Sequence, residues 1–491
     1  TSITDPDGFQ TQLAYGTGGL LATFTDARNN TSEFTYDAAG RLTRDEDAEG
    51  GFLAFTRTAT ATGYTVTRTG PLGVEAVYAV NNSIPDRNGR QTSDAVGLAS
   101  VRTVADGETT QTTSDGTKVS VQVGDHAYGP VHSGALKSAM IETGSRSAQI
   151  QAMDETVLGS PNDAFSITGR TRTLQVNGFT TQSIFARQDS SLRTTSPEGR
   201  RSVTLLDARG RTKSQRFASI LPVNSSYDAR GRLAQSAFGN RQWVTTYDTL
   251  DRVTSITDPL GKVASIVYDS ALGGRYIHAG RTIQYGFDRI GNLTSLAPPG
   301  RPAYRFGYNA VNLLTSMVTP DTVGTDTVRY TYDLKRQLTQ VRLNSGRTIG
   351  IVYDTAGRPI STTTHRGTTT FAYHATTGNI TSISGPGGMA LNYTYDGALV
   401  SAISQTGAVS GTIGLAYDNF FRPTQQQING GHGAAFNYDG DGLLVQAGAL
   451  TMARDSAGLI TATRLDSITS AQTYSSYGEL AMQTAHNRNT L

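Results

Sequence analysis

Apolar and polar residues alternate along this chain in short bursts, and each burst ends in a turn signal. In the stretch VTTYDTLDRVTSITDPLGKVASIVYD (residues 244–269), Val244, Thr246 and Asp248 alternate with Thr245 and Tyr247. Beyond a first turn, Val253 and Ile256 recur among Thr and Ser. Alternation with period two, bounded by turn residues, predicts strand, turn, strand, turn. The first turn has the form Asp-x-x-Gly, in which the Asp side chain caps the turn and Gly accepts positive φ, as in a hairpin loop closed by a Gly bulge. The second has the form Asp-Pro-x-Gly, as in Asp258-Pro259-Leu260-Gly261 and Asp5-Pro6-Asp7-Gly8, and slightly altered in Ser196-Pro197-Glu198-Gly199. Pro presets φ at the second position of such a turn. The 3.6-residue periodicity of amphipathic helices is hard to find anywhere in the chain.

The unit repeats. Its Tyr-Asp position falls at Leu206, Tyr227, Tyr247, Tyr268, Phe287, Tyr308, Tyr332, Tyr353, Tyr373, Tyr395, Tyr417 and Tyr438, in steps of 19 to 24 residues that are mostly 20 to 22. Weaker copies stand at Arg454 and Tyr474, and earlier ones at Tyr15 and Tyr36, 21 residues apart. One period therefore holds about one hairpin, two strands of roughly five or six residues with their turns. A lone hairpin is barely stable in water, so the repeats are expected to pair side by side in one long antiparallel sheet that curls or closes. Tyr and Phe recurring on one face, as Phe436 with Tyr438 and Tyr393 with Tyr395, are expected to form cross-strand aromatic rows. The fold class read from the chain is all-β.

Composition sharpens this reading. Among 491 residues there are 54 Gly, 15 Pro and no Cys, and charged residues make up 17%. The absence of Cys excludes disulfides, thiolate nucleophiles and zinc-thiolate sites. A net charge of +2 without any basic run argues against a nucleic-acid partner. No apolar run approaches the ~20 residues of a membrane-spanning helix. The first ten residues, TSITDPDGFQ, lack the basic start and apolar stretch of a signal peptide. They repeat TSITDPLG of 254–261, and the far end stops in mid-pattern too, so the chain is expected to be a piece of something longer.

Motif and period together resemble the YD-repeat, or rearrangement-hotspot (RHS), family. Tyr-Asp-x-x-Gly-Arg-Leu, as in Tyr227–Leu233, followed by Asp-Pro-x-Gly carries the resemblance along 1–60 and 206–491. Residues 124–211 are similar to the irregular strand-rich insert that precedes the repeats in many bacterial members. The organisation expected is YD-repeats over 1–60, a strand-rich insert continuing the same sheet over 61–205, and YD-repeats over 206–491. The resemblance implies a sheet spiralling into a hollow shell, secreted or at the cell surface. In bacterial toxin complexes such a shell encloses a C-terminal toxin; in animal teneurins a related one presents adhesion surfaces. Many bacterial members also carry a C-terminal segment that cuts itself with Asp residues. No counterpart of that segment is found before Leu491, so no catalytic residue is carried over.

Candidate sites read as structure. The Tyr-Asp pairs recur along the whole wall, where catalytic carboxylates would have to converge on one cleft in differing environments. The seven His (His126, His132, His278, His365, His374, His432 and His486) are scattered, and His365 with His374, flanking a short hairpin, lack a local carboxylate to complete a metal site. YDGDGLL (438–444) has the Asp-Gly spacing of a calcium loop without its further oxygen ligands and closing Glu. The Gly-rich stretches 384–390 and 429–435 lack the Lys-Ser/Thr and helix of a phosphate loop, and no Gly-x-Ser-x-Gly elbow appears. Trp243 on a strand reads as packing before sugar stacking. Catalytic, cofactor and metal residues are therefore expected to be none, and the protein no enzyme. The function expected is a structural shell segment whose partner is the rest of its own longer chain, including a C-terminal toxin cargo. The alternative is a surface adhesin or matrix component that binds glycans or partner proteins through Tyr, Ser, Thr and Asn on the outer face.

Overall fold

The structure is a computed structural model, which describes all residues except 85, 86, 95, 106, 125–134, 161, 162, 164, 165, 271, 272, 321–325 and 488–491. It is all-β: forty-five strands are described, with two single 3₁₀ turns at Pro71–Gly73 and Pro386–Gly388. In every register described, a strand pairs antiparallel with the next strand along the chain, as Glu33↔Glu46 and Tyr36↔Leu42, or Gly350↔Thr363 and Tyr353↔Pro359. The chain divides into two compact units. One contains 1–103, 247–256 and 262–391; the other contains 104–246, 257–261 and 392–491.

Strand lengths differ along the chain. Repeat strands are mostly five to seven residues long, as in Val223–Tyr227 and Gly367–Tyr373. Elsewhere they lengthen, to ten residues at Ile167–Val176 and thirteen at Arg146–Leu158. In the repeats, the register slips by one residue just before the motif Tyr. Thr35 faces Arg44 while Tyr36 faces Leu42, which leaves Thr43 as an extra residue; Ala234 is extra in the same way opposite Ser226 and Tyr227. Such a bulge strengthens the local twist and recurs once per hairpin.

Burial alternates along the strands without producing a core. In Arg241–Tyr247, Arg241, Trp243, Thr245 and Tyr247 are half-buried while Gln242, Val244 and Thr246 are exposed. In Gly367–Tyr373 the half-buried face carries Phe371 and Tyr373, and the open face carries Thr368, Thr370 and Ala372. Among the described residues the buried apolar side chains are few and small, Pro71, Ala76 and Ala148. The chain exposes 29006 Å², against about 17,500 Å² for a compact globule of this mass. Among the described strands of this sheet, little side-chain surface is withdrawn from water on either face. Its stability comes from neighbour-to-neighbour terms along the row of hairpins.

Candidate functional site

The repeated motif is a mechanical joint, and its parts can be assigned residue by residue. In the turn after Tyr227, Asp228 N–H donates to the Arg232 carbonyl (2.9 Å) and Gly231 N–H to the Asp228 carbonyl (3.0 Å). The Asp228 carboxylate accepts the Arg232 backbone N–H on one oxygen (2.9 Å) and Arg232 Nε on the other (2.7 Å). The same clamp joins Asp37 to Arg41, Asp207 to Arg211, Asp248 to Arg252, Asp354 to Arg358 and Asp418 to Arg422. Asn30 and Asn292 take the place of Arg against Asp26 and Asp288. The Asp-Pro-x-Gly turns use the same geometry: Asp5 Oδ1 accepts the N–H groups of Asp7 (3.0 Å) and Phe9 (2.9 Å).

The guanidinium, held flat by its Asp, then receives the next repeat's tyrosine. Arg211 lies over Tyr227 at 4.0 Å, Arg252 over Tyr268 at 4.1 Å, Arg358 over Tyr373 at 4.3 Å and Arg422 over Tyr438 at 4.3 Å. Each of these tyrosines donates its hydroxyl to the carbonyl of the residue following that Arg: Tyr227 to Thr212 (2.8 Å), Tyr268 to Val253 (2.8 Å), Tyr373 to Pro359 (2.8 Å) and Tyr438 to Pro423 (2.9 Å). The row in these repeats is Tyr on Arg, which corrects the expected aromatic-on-aromatic rows. A ring face attracts a cation more specifically than another ring. Burial raises the phenol pKa of Tyr417, and it raises that of Tyr332 together with the neighbouring Tyr330, so both remain donors. Tyr268→Phe is expected to lose only the hydroxyl bond, about 0.5–1.5 kcal/mol. Tyr268→Leu should lose about 0.5–1 kcal/mol more with the cation–π contact. Urea unfolding of the two variants measures the difference.

The turn glycine serves two neighbours. Gly231 sits at φ +93, and a Cβ there would also stand 3.1 Å from Arg211 Nη1 of the preceding repeat. Gly210 has φ +78 but nothing within 4 Å of a Cβ. Gly210→Ala should cost about 1–2 kcal/mol for the left-handed backbone alone. Gly231→Ala should cost measurably more, and the gap between the two midpoints in urea reports the Arg beneath.

The clamp also sets the acid response. Side-chain hydrogen bonds from Arg211 and Arg232 hold the Asp207 and Asp228 carboxyls below their ordinary value, and for Asp37 the backbone N–H of Arg41 does most of this. A carboxyl depressed by folding adds stability above its unfolded value of about 3.9 and loses it as pH falls through the lower folded value. The urea midpoint is therefore expected to fall below about pH 4. This carboxylate contribution itself stays flat from pH 5 to 8.

Within each unit, turns from an early run of the chain meet turns from a late run. In the first unit Arg28 donates to the Asn309 carbonyl (2.7 Å) and pairs with Asp288 (3.3 Å). Arg336 pairs with Asp47 (2.9 Å), and the Glu49 carboxylate accepts the Ala310 N–H (2.9 Å). In the second unit Ser145 N–H donates to Asp396 (2.8 Å) and Ala398 N–H to Thr143 Oγ1 (2.7 Å). Arg241 forks onto Glu479, beside a Phe238–Tyr477 edge contact at 5.0 Å.

The most buried of these joints lies on the sequence candidate 438–444. Arg200 reaches Asp439 at 2.7 Å and also binds Asp441, and the three side chains are 9%, 10% and 13% exposed. Ser196 Oγ and Glu198 N–H donate to Asp441 (2.7 and 3.0 Å), and Gly440 N–H donates to the Glu198 carboxylate (2.7 Å). Burial works to raise the Asp441 carboxyl, but the bonds from Ser196, Glu198 and Arg200 outweigh it and hold the carboxyl low. The two Asp that suggest a calcium loop thus share one guanidinium. Sequence reasoning missed this, because Arg200 lies some 240 residues upstream with no local signal.

The other candidates do not converge. His365 and His374 stand at opposite ends of the strand Gly367–Tyr373, so they do not face each other. His374 instead replaces the turn Asp, its Nδ1 meeting the Thr376 hydroxyl and Thr377 N–H. His278 stacks on Tyr276 at 6.4 Å, and His432 and His486 lie exposed on strands. His126 and His132 lie outside the described residues. Trp243 is half-buried opposite Ser236. Residues 429–431 form the turn between Pro423–Ile428 and His432–Tyr438, and 386–388 form a 3₁₀ turn. Among the described residues no cluster of His, Asp or Glu could hold a metal ion. No described helix is long and apolar enough to cross a membrane.

Consecutive hairpins, closed by capped turns that in six repeats are locked by Asp and Arg, and tied to their neighbours by Tyr, define a structural wall of YD-repeats. The family model described as Teneurin YD-shell matches residues 1–490, and the chain belongs to that family. A comparison with curated proteins returns no match. Among solved structures the chain is similar to chains in the crystal structures of TcdB2-TccC3-Cdc42 (12% identity, TM-score 0.35) and TcdB2-TccC3-TEV (12%, 0.36). It is also similar to one in the Photorhabdus luminescens Tc holotoxin pore (12%, 0.29). In each case 98% of this chain is covered and 32–33% of the other, so it spans about a third of their length.

Proposed function

We propose that this chain is a stretch of shell wall that encloses another polypeptide segment, a C-terminal toxin of its own longer chain being the cargo, in a protein secreted or held at the cell surface. The observation that carries this reading is the uncovered sheet. Nearly every strand shows side chains on both faces, with almost nothing fully buried, in a chain of the YD-shell family. A wall of this kind separates two spaces; it does not assemble a cleft. The residues responsible are the joint residues, Asp, Gly, Arg and Tyr of each repeat, which keep the wall continuous.

The test is proteinase K digestion of the native parent polypeptide, with mass spectrometry of the peptides that survive. Enclosure predicts that segments outside this chain persist until the wall is denatured. Their disappearance ahead of the wall peptides would overturn the proposal.

A further inference from the structure

We propose that the turn-to-turn joints of the second unit form an acid-releasable latch that opens while the hairpin rows on either side remain paired. The inference rests on the joints themselves and holds whether or not anything is enclosed.

The two kinds of contact are built differently. Along a row, neighbouring strands share a backbone ladder and the Tyr–Arg contact; the Asp that holds each Arg sits in the turn of its own hairpin, so protonating it loosens that turn and leaves the backbone ladder in place. Across the joints, among the described residues, no strand pairing is seen. Four of the links run through carboxylates: Asp439 and Asp441 to Arg200, Glu198 to Gly440 N–H, Asp396 to Ser145, and Glu479 to Arg241. Neutral bonds stand beside them: Asn177 to the Asn419 carbonyl, Ala398 N–H to Thr143 Oγ1, Leu221 N–H to the Ser476 carbonyl and the Tyr477 hydroxyl to Asn240.

The charged groups around each carboxylate decide the sign. Asp441 faces Arg200, the Ser196 hydroxyl and the Glu198 N–H, with Asp439 sharing the same guanidinium. The Glu198 carboxylate is turned onto Gly440 N–H, and the nearby Arg422 is already held by Asp418. Glu479 faces Arg241, whose guanidinium also covers Tyr477. Asp396 faces the N–H and hydroxyl of Ser145. Protonating Asp439 and Asp441 leaves Arg200, 9% exposed, as a buried cation without a counter-charge, an arrangement that favours separation and hydration. Arg241 bonds to Glu479 hold that carboxyl low, as bonds from Ser196, Glu198 and Arg200 hold Asp441. Both contributions are present above the ordinary carboxyl value and are lost as pH falls through the depressed ones.

Hydroxyl-radical footprinting of the full chain at pH 7 and pH 3 tests this. The latch predicts a several-fold rise in oxidation of Phe238, Phe420 and Tyr477 at pH 3, with Tyr227 and Tyr417 of the rows little changed. Asp441→Asn should raise Phe420 oxidation at pH 7, whereas Asp228→Asn, which loosens a turn within a row, should not. A parallel rise of joint and row residues at pH 3 would overturn the proposal, because acid would then be unfolding the sheet as a whole. So would an unchanged pattern at pH 3, or equal effects of the two substitutions on Phe420.

Discussion

Arg200→Met is expected to destabilise the second unit by about 3–5 kcal/mol, the cost of removing one partner from a buried ion pair and leaving the other uncompensated. Here two carboxylates are left, Asp439 and Asp441, each about a tenth exposed. Methionine keeps the length of the aliphatic stem, so the loss reports the charge more than the packing. Two further results would confirm the cause. The deficit should shrink below about pH 4, where the orphaned carboxyls take up protons. It should also shrink when Asp441→Asn is added, since the double variant leaves one buried charge in place of two. Urea unfolding followed by circular dichroism measures all three. A deficit independent of pH would assign the loss to packing instead.

The second large effect is expected at Gly397→Ala. This glycine lies at φ +64, and a Cβ there would land on the Gly144 nitrogen and 2.7 Å from the Thr143 carbonyl carbon, backbone that cannot rotate aside. The left-handed conformation costs about 1–2 kcal/mol for a residue with a Cβ. Forcing an atom into packed backbone adds about 1–3 kcal/mol. Hydrogen exchange should show where it falls: the amides of Ser145 and Ala398, bonded to Asp396 and Thr143, lose protection, while distant turns such as 228–232 keep theirs. If exchange rises uniformly, the joint at 143–146 is not a separable element.

Most of the wall could be read directly. The period near 21 is written in the recurring motif, and the Asp caps and the Gly at positive φ are local, because each is satisfied within five residues of chain. Substitutions within the motif are equally local, and so His374 in the Asp position and Asn292 in the Arg position leave the turn intact. The role of Arg was visible in principle, since it stands four residues after Asp in copy after copy. Its partner ring, however, lies in the next repeat, and the pattern of aromatic residues suggested ring-on-ring rows in its place. Residues 438–444 show the limit most clearly. The missing oxygen ligands and closing Glu argue for a plain turn over a metal loop, but nothing near Asp439 and Asp441 announces a joint to Arg200.

What the amino-acid sequence determined alone is the hairpin, its turn chemistry and its repetition, because these depend on contacts between residues near in the chain. Only the tertiary structure decided which turns meet: Arg28 with Asp288, Arg336 with Asp47, Arg200 with Asp439 and Asp441. Those partners are 239 to 289 residues apart. Twist and bulges accumulated over many hairpins select them, so a small change per repeat, summed along the row, chooses a different neighbour.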